Sequence, residues 1–216
     1  MCFAVNQANK KALEALLDSW APPAGLMWPE QVRVDAFAHP IRELVFNGPQ
    51  GGSPYRAAGV WGLIPSWVRT EAEALNLRSK TLNARRETLF TLPSFRASAP
   101  TQRCLLPVNG FYEYQHLDRQ GQPDPKGKRT QLYLLTCADH DAFFLGGLWS
   151  QWKGLLTFTL VTEPAGPLLS QIHNAKQRQP LLLSGNEAKT WLEGGSPVST
   201  LEVQATAVSP GADLLL

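Results

Sequence analysis

The chain has 216 residues, 44% of them hydrophobic, which suffices to bury a substantial core and is close to the size at which one domain is usual. No apolar run reaches the ~18 residues of a membrane span, and no basic stretch followed by an apolar core opens the chain, so we predict one globular domain over residues 1–216 in the cytoplasm. A net charge of +2 is too small to argue for nucleic-acid binding by itself.

A predicted amphipathic helix comes first in the chain. Four apolar residues recur at helical spacing, namely Leu13, Leu16, Leu17 and Trp20. Asn9 is placed to cap the start of this helix, and Pro22-Pro23 end the pattern. We therefore predict a helix that buries one face against the core.

Short strands are predicted for most of the chain after this helix. Seven β-branched or aromatic segments are bounded by turn-forming residues: 33–37, 41–46, 57–61, 132–137, 142–149, 155–162 and 201–208. Stretches 47–55 and 117–129 are rich in Gly, Pro and polar residues, which predicts loops. Ser184 and Glu187 form a capping-box pattern for a short helix that runs through Trp191. Because strands outnumber helices and often follow one another directly, we predict an α+β fold of mostly antiparallel sheets with a few flanking helices.

Basic residues are concentrated in one part of the chain. Residues 69–103 contain seven Lys or Arg against three acidic residues, and Lys126, Lys128 and Arg129 follow. Such segments suit contacts with phosphates, although a solvated surface accounts for them equally well. Charge therefore supports nucleic-acid binding without establishing it.

The cysteines do not form a recognisable framework. Cys2, Cys104 and Cys137 are an odd number at wide spacings, with no CxxC pair and no Cys/His cluster of metal-ligand spacing. We predict neither a disulfide framework nor a metal site, and no pattern in the sequence calls for a cofactor.

Cys2 gains a particular reactivity if the initiator methionine is removed, as a small residue at position 2 permits. An α-amine has a reference pKa near 8, so roughly a tenth of it is neutral at pH 7. Such an amine forms an imine with an aldehyde, and the adjacent thiol can close that imine to a five-membered thiazolidine. A Met-Cys start alone is weak support, because a buried, inert cysteine is the more common case.

Several segments occur in an order and spacing that resemble one family. They are the Met1-Cys2 start, WGLIPSW (61–67), LNARRET (82–88), RCLLPVNGFYEY (103–114), FLGGLW (144–149), FTLVT (158–162) and IHNAKQRQPLLL (172–183). The chain resembles the SOS-response-associated peptidase (SRAP) family, whose members cross-link themselves to abasic sites in single-stranded DNA. The resemblance implies a single SRAP-type domain with barrel-like sheets.

The resemblance also implies four catalytic residues. Cys2 matches the family's nucleophile, and Asn83 matches a residue that holds the terminal cysteine and the sugar. Glu113 and His173 match an active-site glutamate and histidine, which suit the proton transfers of ring opening, dehydration and thiol addition. The aromatic neighbours of Glu113 favour a raised pKa for its carboxyl. Without the resemblance, the sequence favours a surface strand residue for Glu113 and an ordinary loop histidine for His173.

Four further residues are implied as DNA contacts. Arg85 would grip a phosphate, and Trp67 would stack on an unpaired base, although a core tryptophan fits the pattern equally well. Thr162 matches a position that lines the family's pocket, and Arg178 matches an arginine that precedes its Pro-apolar run.

The sequence departs from the family pattern at three places. Phe3-Ala4 stand where Gly-Arg is usual, which removes an arginine that would contact DNA. The family's Tyr-Asn-(Ala/Val)-Pro segment keeps only Pro40 in AFAHP, and the histidine segment carries an apparent insertion, NAKQRQP. These departures make the DNA contacts less well defined than the catalytic residues.

The leading interpretation is a monomeric enzyme that forms a covalent thiazolidine cross-link with abasic sites in single-stranded DNA through Cys2. It has no membrane or metal partner and associates with the nucleoid when bound to DNA. Two alternatives stay open: an (auto)peptidase with an N-terminal cysteine nucleophile that acts on its own Met1-Cys2 bond, and a non-catalytic single-strand binding module.

Overall fold

Two β-sheets make up most of the structure, a computed structural model that describes residues 2–20, 32–48 and 52–209. The strands in these residues are β1 (Ala4–Asn6), β2 (Arg33–Asp35), β3 (Ile41–Phe46), β4 (Tyr55–Trp61), β5 (Asn83–Arg85), β6 (Arg103–Val108), β7 (Gly110–Leu117), β8 (Arg129–Cys137), β9 (Phe143–Trp152), β10 (Leu155–Pro164), β11 (Arg178–Pro180), β12 (Leu182–Leu183) and β13 (Val203–Ala207). The α-helices in the same residues are α1 (Lys10–Asp18), α2 (Glu71–Arg78), α3 (Pro167–Ile172) and α4 (Gly185–Leu192).

One sheet is open and the other closes on itself. The open sheet has the strand order β13-β8-β7-β1-β2. In the larger sheet, the order β10-β4-β3-β6-β9 returns to β10 through an antiparallel β9–β10 ladder, which makes a five-stranded barrel. Only the pairings of β10 with β4 and with β5 are parallel among the described strands. The predicted α+β fold of mostly antiparallel, barrel-like sheets is confirmed.

The main core lies between the two sheets. Val5 and Phe111 of the open sheet join Leu44, Trp61 and Phe158 of the barrel in one cluster of buried side chains. The Trp61 indole also donates a hydrogen bond to the Leu82 carbonyl at 2.9 Å, so its one polar atom is satisfied inside the core. Because Val5 belongs to β1, this core also fixes the position of β1.

The first predicted helix is confirmed as α1. Asn9 caps it by accepting a hydrogen bond from the Ala12 amide at 3.1 Å, and Leu13 and Leu17 are buried. Leu17 packs in a second cluster outside the barrel together with Trp191 of α4. Pro22-Pro23, which were predicted to end the helix, lie outside the described residues.

The second predicted helix is confirmed as α4, whereas α2 was not predicted. Ser184 and Glu187 form the capping box that begins α4. Thr70 and Glu73 form an equivalent box at the start of α2, so the sequence carries a helix-start signal there too.

The predicted strands are present, β3 with the predicted ends and the others with changed ends. The segment predicted over 33–37 ends at Asp35, because the Asp35 carboxylate accepts a hydrogen bond from the Phe37 amide and starts a 3-10 turn. The loop predicted over 117–129 is confirmed between β7 and β8. Of the loop predicted over 47–55, residues 49–51 lie outside the described part. No helix among the described residues has the length and hydropathy to cross a membrane.

The glycine pair of the FLGGLW segment allows the barrel to close. A Cβ on Gly147 would come within 2.7 Å of the Thr159 carbonyl oxygen on β10 and 3.0 Å of the Cys104 sulfur on β6. Because β9 lies between those two strands, only a residue without a side chain permits both ladders at this point.

Candidate active site

Cys2 lies immediately before β1, which is held between β2 and β7. Its side chain is fully buried, and the thiol donates a weak hydrogen bond to the Ala4 carbonyl at 3.7 Å. Burial raises the pKa of the Cys2 thiol far above its ordinary value, and the nearby charge of Glu113 raises it further. The sulfur is therefore a protonated thiol at neutral pH.

Asn83 reaches Cys2 from the other sheet. It begins β5, which runs parallel to β10, and its Nδ2 donates to the Cys2 carbonyl oxygen at 2.8 Å. Since a carbonyl only accepts, the amide is oriented with its own oxygen turned away from Cys2. That Oδ1 is buried and accepts no hydrogen bond from the described residues, so it remains available as an acceptor.

Glu113 projects from β7 into the space beside Cys2. Strand alternation places it on the same face as Phe111, which belongs to the main core. Only 4% of Glu113 is exposed, and this burial raises the pKa of its carboxyl to about 7. Close to neutral pH, the group is therefore present both as an acid and as a carboxylate.

His173 follows α3 and faces Glu113. Its Nδ1 lies 2.8 Å from the Arg178 carbonyl oxygen across a tight turn, so Nδ1 carries the proton and Nε2 carries the lone pair. The same Nδ1 is 3.8 Å from Glu113 Oε1. Burial lowers the pKa of His173 to about 4, which makes the imidazole neutral at pH 7.

Asn174 ties the histidine segment to the strand that carries the glutamate. Its Oδ1 accepts from the His116 amide at 2.9 Å, and its Nδ2 donates to the His116 carbonyl at 2.9 Å. Gln115 adds a bond from its Nε2 to the Gln171 carbonyl at 3.1 Å. Since His116 and Glu113 share β7, these bonds fix the separation of His173 and Glu113. Asn174 was not among the residues predicted from the sequence, although it directly follows the predicted histidine.

The four predicted catalytic residues thus meet at one place, contributed by both sheets. Cys2 and Glu113 come from the open sheet, Asn83 from β5, which pairs with β10 of the larger sheet, and His173 from the turn between α3 and β11. The set contains a thiol, a carboxyl that titrates near pH 7, a neutral imidazole with a lone pair on Nε2, and an amide oxygen. Among the described residues, no group of three or more His, Cys, Asp or Glu side chains is arranged to hold a metal ion.

A family model described as SOS response associated peptidase (SRAP) matches residues 37–214. The chain belongs to the SRAP family. Two similar curated proteins are abasic site processing protein YoqW of Bacillus subtilis, 35% identical over 61% of this chain and 54% of that protein, and abasic site processing protein HMCES of Pongo abelii, 30% identical over 66% and 46%. The chain therefore spans about half the length of these relatives.

Solved structures share the SRAP chain's fold. A protein from Bacteroides thetaiotaomicron superposes with a TM-score of 0.82 at 26% identity, covering 97% of this chain and 93% of that one. A protein from Bordetella bronchiseptica gives a TM-score of 0.74 at 21% identity, covering 96% and 100%, which shows the fold alone.

Two of the predicted DNA contacts of this SRAP protein lie on the surface. Arg85 ends β5 two residues after Asn83 and is exposed. Trp67 is 53% exposed, and its Nε1 donates to the Pro93 carbonyl at 3.2 Å. An indole that is held by its Nε1 and is half exposed suits stacking, and this exposure excludes the core alternative for Trp67.

The other two predicted contacts are engaged within the protein. Thr162 is fully buried and donates to the Ala84 carbonyl at 3.4 Å. Arg178 makes a two-pronged ion pair with Glu87, at 2.5 and 2.9 Å, and donates to the Thr162 carbonyl at 2.6 Å. DNA contact by Arg178 would require this ion pair to open, so for both residues the contact stays a prediction.

The basic residues of segment 69–103 divide into some that make contacts within the protein and others that are exposed. Arg103 is buried, stacks on the Trp191 ring and donates to the Ala99, Trp191 and Gly195 carbonyls. Arg86 pairs with Glu163 at 2.6 Å. Others, including Arg69 and Arg96, are exposed. Charge counting along the sequence thus overstates the basic surface of this SRAP chain.

Proposed function

We propose that the chain processes abasic sites in single-stranded DNA by linking itself, through Cys2, to the aldehyde of the opened sugar. The hydrogen bond from Asn83 Nδ2 to the Cys2 carbonyl carries this proposal, because it holds the start of the chain beside Glu113 and His173. The names of the relatives, which are abasic site processing proteins, support the same substrate.

The chemistry needs no oxidant and no cofactor. Hydrolysis of the Met1-Cys2 bond frees the Cys2 amine, which adds to the aldehyde carbon and gives a carbinolamine. Loss of one water from the carbinolamine forms an imine. The thiol then adds across the C=N bond, with sulfur bonding to carbon and the proton ending on nitrogen, and the product is a thiazolidine.

Each buried group has a place in these proton transfers. The acid form of Glu113 protonates the leaving hydroxyl of the carbinolamine, and its carboxylate accepts the thiol proton as sulfur adds. His173 Nε2 accepts a proton from the attacking amine, since that nitrogen carries a lone pair. Asn83 Oδ1 accepts a hydrogen bond from a sugar hydroxyl. Arg85 contacts a phosphate, and Trp67 stacks on a neighbouring base.

A peptidase that uses the Cys2 thiol is less well supported. Such enzymes need a thiolate, and the sites that supply it lower the cysteine pKa. Here burial and Glu113 raise the pKa of the Cys2 thiol. An amine that attacks first, with a neutral thiol that follows, fits this environment better.

The test is adduct formation on an oligonucleotide that contains one abasic site. Protein starting at Cys2 is expected to give a band that survives denaturation, and Cys2→Ser is expected to give none. Because Cys2→Ser keeps the α-amine, borohydride is expected to restore a trapped imine band. Cys137→Ser, which removes another buried thiol, is the matched control and retains the stable band.

Two results would contradict the proposal. One is a denaturation-resistant band from Cys2→Ser without borohydride, which would place the bond elsewhere. The other is equal retention of intact and abasic strands by the wild type with no covalent product, which would support the binding-module alternative.

A further inference from the structure

A small cavity of about 130 Å³ borders the proposed site on the side of β1 and β2. Phe3, the residue after Cys2, lines it, and so does Glu113. The cavity therefore lies beside the start of β1, on the face of the open sheet that carries Tyr112 and Tyr114, and one residue along the chain from Cys2. A nucleotide next to the abasic sugar would lie within reach of it.

An aromatic platform stands at the cavity. The rings of Phe3 and Phe37 lie 4.8 Å apart, tilted by 36°, and Phe37 is 59% exposed. Tyr114, also on the wall, is 42% exposed. Two large exposed rings that border one cavity are typical of surfaces on which unpaired bases stack.

The platform is held in place before any ligand arrives. The Asp35 carboxylate accepts a hydrogen bond from the Phe37 amide at 2.8 Å and so fixes the turn that presents the ring. Ala36 donates from its amide to the Phe3 carbonyl at 2.7 Å, which ties the residue before Phe37 to the backbone of Phe3. Little ordering is then needed on binding.

The charges on the wall favour a neutral base over a phosphate. Arg33 lies over the Tyr112 ring at 5.0 Å and donates to the Tyr114 hydroxyl at 3.2 Å. Asp35 lines the same cavity and carries the opposite charge. The wall thus holds one cation, one anion and the Glu113 carboxyl, which is partly ionised near pH 7, so the cavity attracts phosphate little. Arg33 and Asp35 both offer hydrogen bonds to a base edge.

We infer that this cavity is a subsite for the nucleobase on one side of the abasic sugar, with the base stacked on Phe37. The inference rests on the proposed function and deepens it by naming a second recognition element. A purine fits better than a pyrimidine, because its larger face covers more of the phenylalanine ring. Phe3, which stands where the family usually has glycine, supports the Phe37 ring through their contact.

The experiment uses oligonucleotides with one abasic site and either a purine, a pyrimidine or a base-free spacer on the 5′ side, the 3′ side or both. At subsaturating protein, wild type is expected to form adduct roughly 5- to 10-fold faster when a purine occupies the relevant side than when a spacer does. Phe37→Ala is expected to remove this difference and Phe37→Trp to keep it. At saturating protein the rates converge, since the subsite acts on binding.

Val198→Ala is the control, since Val198 is 79% exposed and lies away from the cavity wall. If Phe37→Ala keeps the purine preference, or if wild type shows none, the subsite is overturned, while adduct on the spacer strands still supports the proposed function. If no strand gives an adduct, the proposed function fails. In that case, anisotropy titrations of the same strands test the subsite alone. Tighter binding of the purine strand by wild type than by Phe37→Ala supports it, and equal affinities of the two proteins for that strand contradict it.

Discussion

Burial acts in opposite directions on the two titrating residues of the site. It raises the pKa of Glu113 to about 7 because it disfavours the carboxylate, and it lowers the pKa of His173 to about 4 because it disfavours the imidazolium. At pH 6 the pair therefore consists of a neutral acid and a neutral base. This combination can donate one proton and accept another without placing a net charge beside Cys2.

Replacing Glu113 by Gln is expected to slow adduct formation about 100-fold at pH 7, since the glutamine can neither donate nor accept the transferred proton. In wild type the step that needs the acid form slows as the pH rises through about 7, where the Glu113 carboxyl ionises. The variant lacks that inflection. Single-turnover rates between pH 5.5 and 8.5 measure both effects. Glu14→Gln, on the exposed side of α1, should match wild type, and an unchanged rate in Glu113→Gln would remove the carboxyl from the mechanism.

The sequence predicted a raised pKa for Glu113 from its aromatic neighbours, but only one of these neighbours contributes to its burial in the core. Its aromatic neighbours Phe111, Tyr112 and Tyr114 suggested an apolar environment. Strand alternation places Tyr112 in a separate cluster on the other face of β7, and only Phe111 shares the core side with Glu113. The remaining burial comes from the far sheet and from the His173 turn, contacts that neighbouring residues in the sequence do not indicate.

Among the elements, β7 does more than carry Glu113, because its outer end also anchors the histidine turn. Asn174 pairs with both backbone groups of His116, as a strand residue would. The position of His173 relative to Glu113 therefore depends on the Asn174 side chain, which makes the hydrogen bonds that a neighbouring strand would make.

Loss of the two hydrogen bonds between Asn174 and His116 is expected to let His173 move relative to Glu113. We predict that Asn174→Ala lowers the adduct-forming rate about tenfold and the free energy of unfolding by about 1–3 kcal/mol, since two partly buried hydrogen bonds lose their partner. The affinity for abasic strands should be unchanged, which separates positioning from binding. Asn186→Ala in α4, also an asparagine, is the control, and a purely structural Asn174 would lower stability while leaving the rate per folded molecule intact.

The elements differ in how well their sequences predict them. Helix α1 follows from its apolar spacing and the Asn9 cap, and strand β3 from an apolar run between turn-forming residues, and both predictions are confirmed. The parallel pairing of β5 with β10 has no local signal, because its partners are far apart in the chain and three-residue strands carry almost no periodicity. Since that pairing brings Asn83 to Cys2, the meeting of the two residues rested on the family resemblance and not on the pattern of the sequence.

For the whole molecule, the opposed pKa shifts predict an unusual dependence of stability on pH. The raised pKa of Glu113 gives stability that is complete below its unfolded value of 4.5 and lost as the pH rises through 7. The lowered pKa of His173 gives stability that is present above 6.5 and lost as the pH falls through 4. Between about pH 4.5 and 6.5 the two slopes cancel, because the folded pair holds its one proton on Glu113 and the unfolded pair holds it on histidine.

Replacing either Glu113 or His173 should reveal the pH dependence of the unfolding free energy that comes from the remaining residue. Glu113→Gln is expected to lose about 1.4 kcal/mol of unfolding free energy per pH unit as the pH falls from 6.5 toward 4.5, and His173→Gln to lose a similar amount per unit as it rises over the same range. Urea titrations at half-unit steps measure this, with Glu14→Gln as the control. Parallel profiles in wild type and both variants would contradict the opposed shifts.

The burial of Cys2 also affects how readily its thiol is oxidised. Peroxides attack thiolates far faster than thiols, and sulfenic acid forms first at exposed cysteines of low pKa. The Cys2 sulfur is fully buried and protonated, so it has neither property. In the proposed reaction the thiol adds only after the amine has captured an aldehyde, so this burial would protect Cys2 from oxidants between one abasic site and the next.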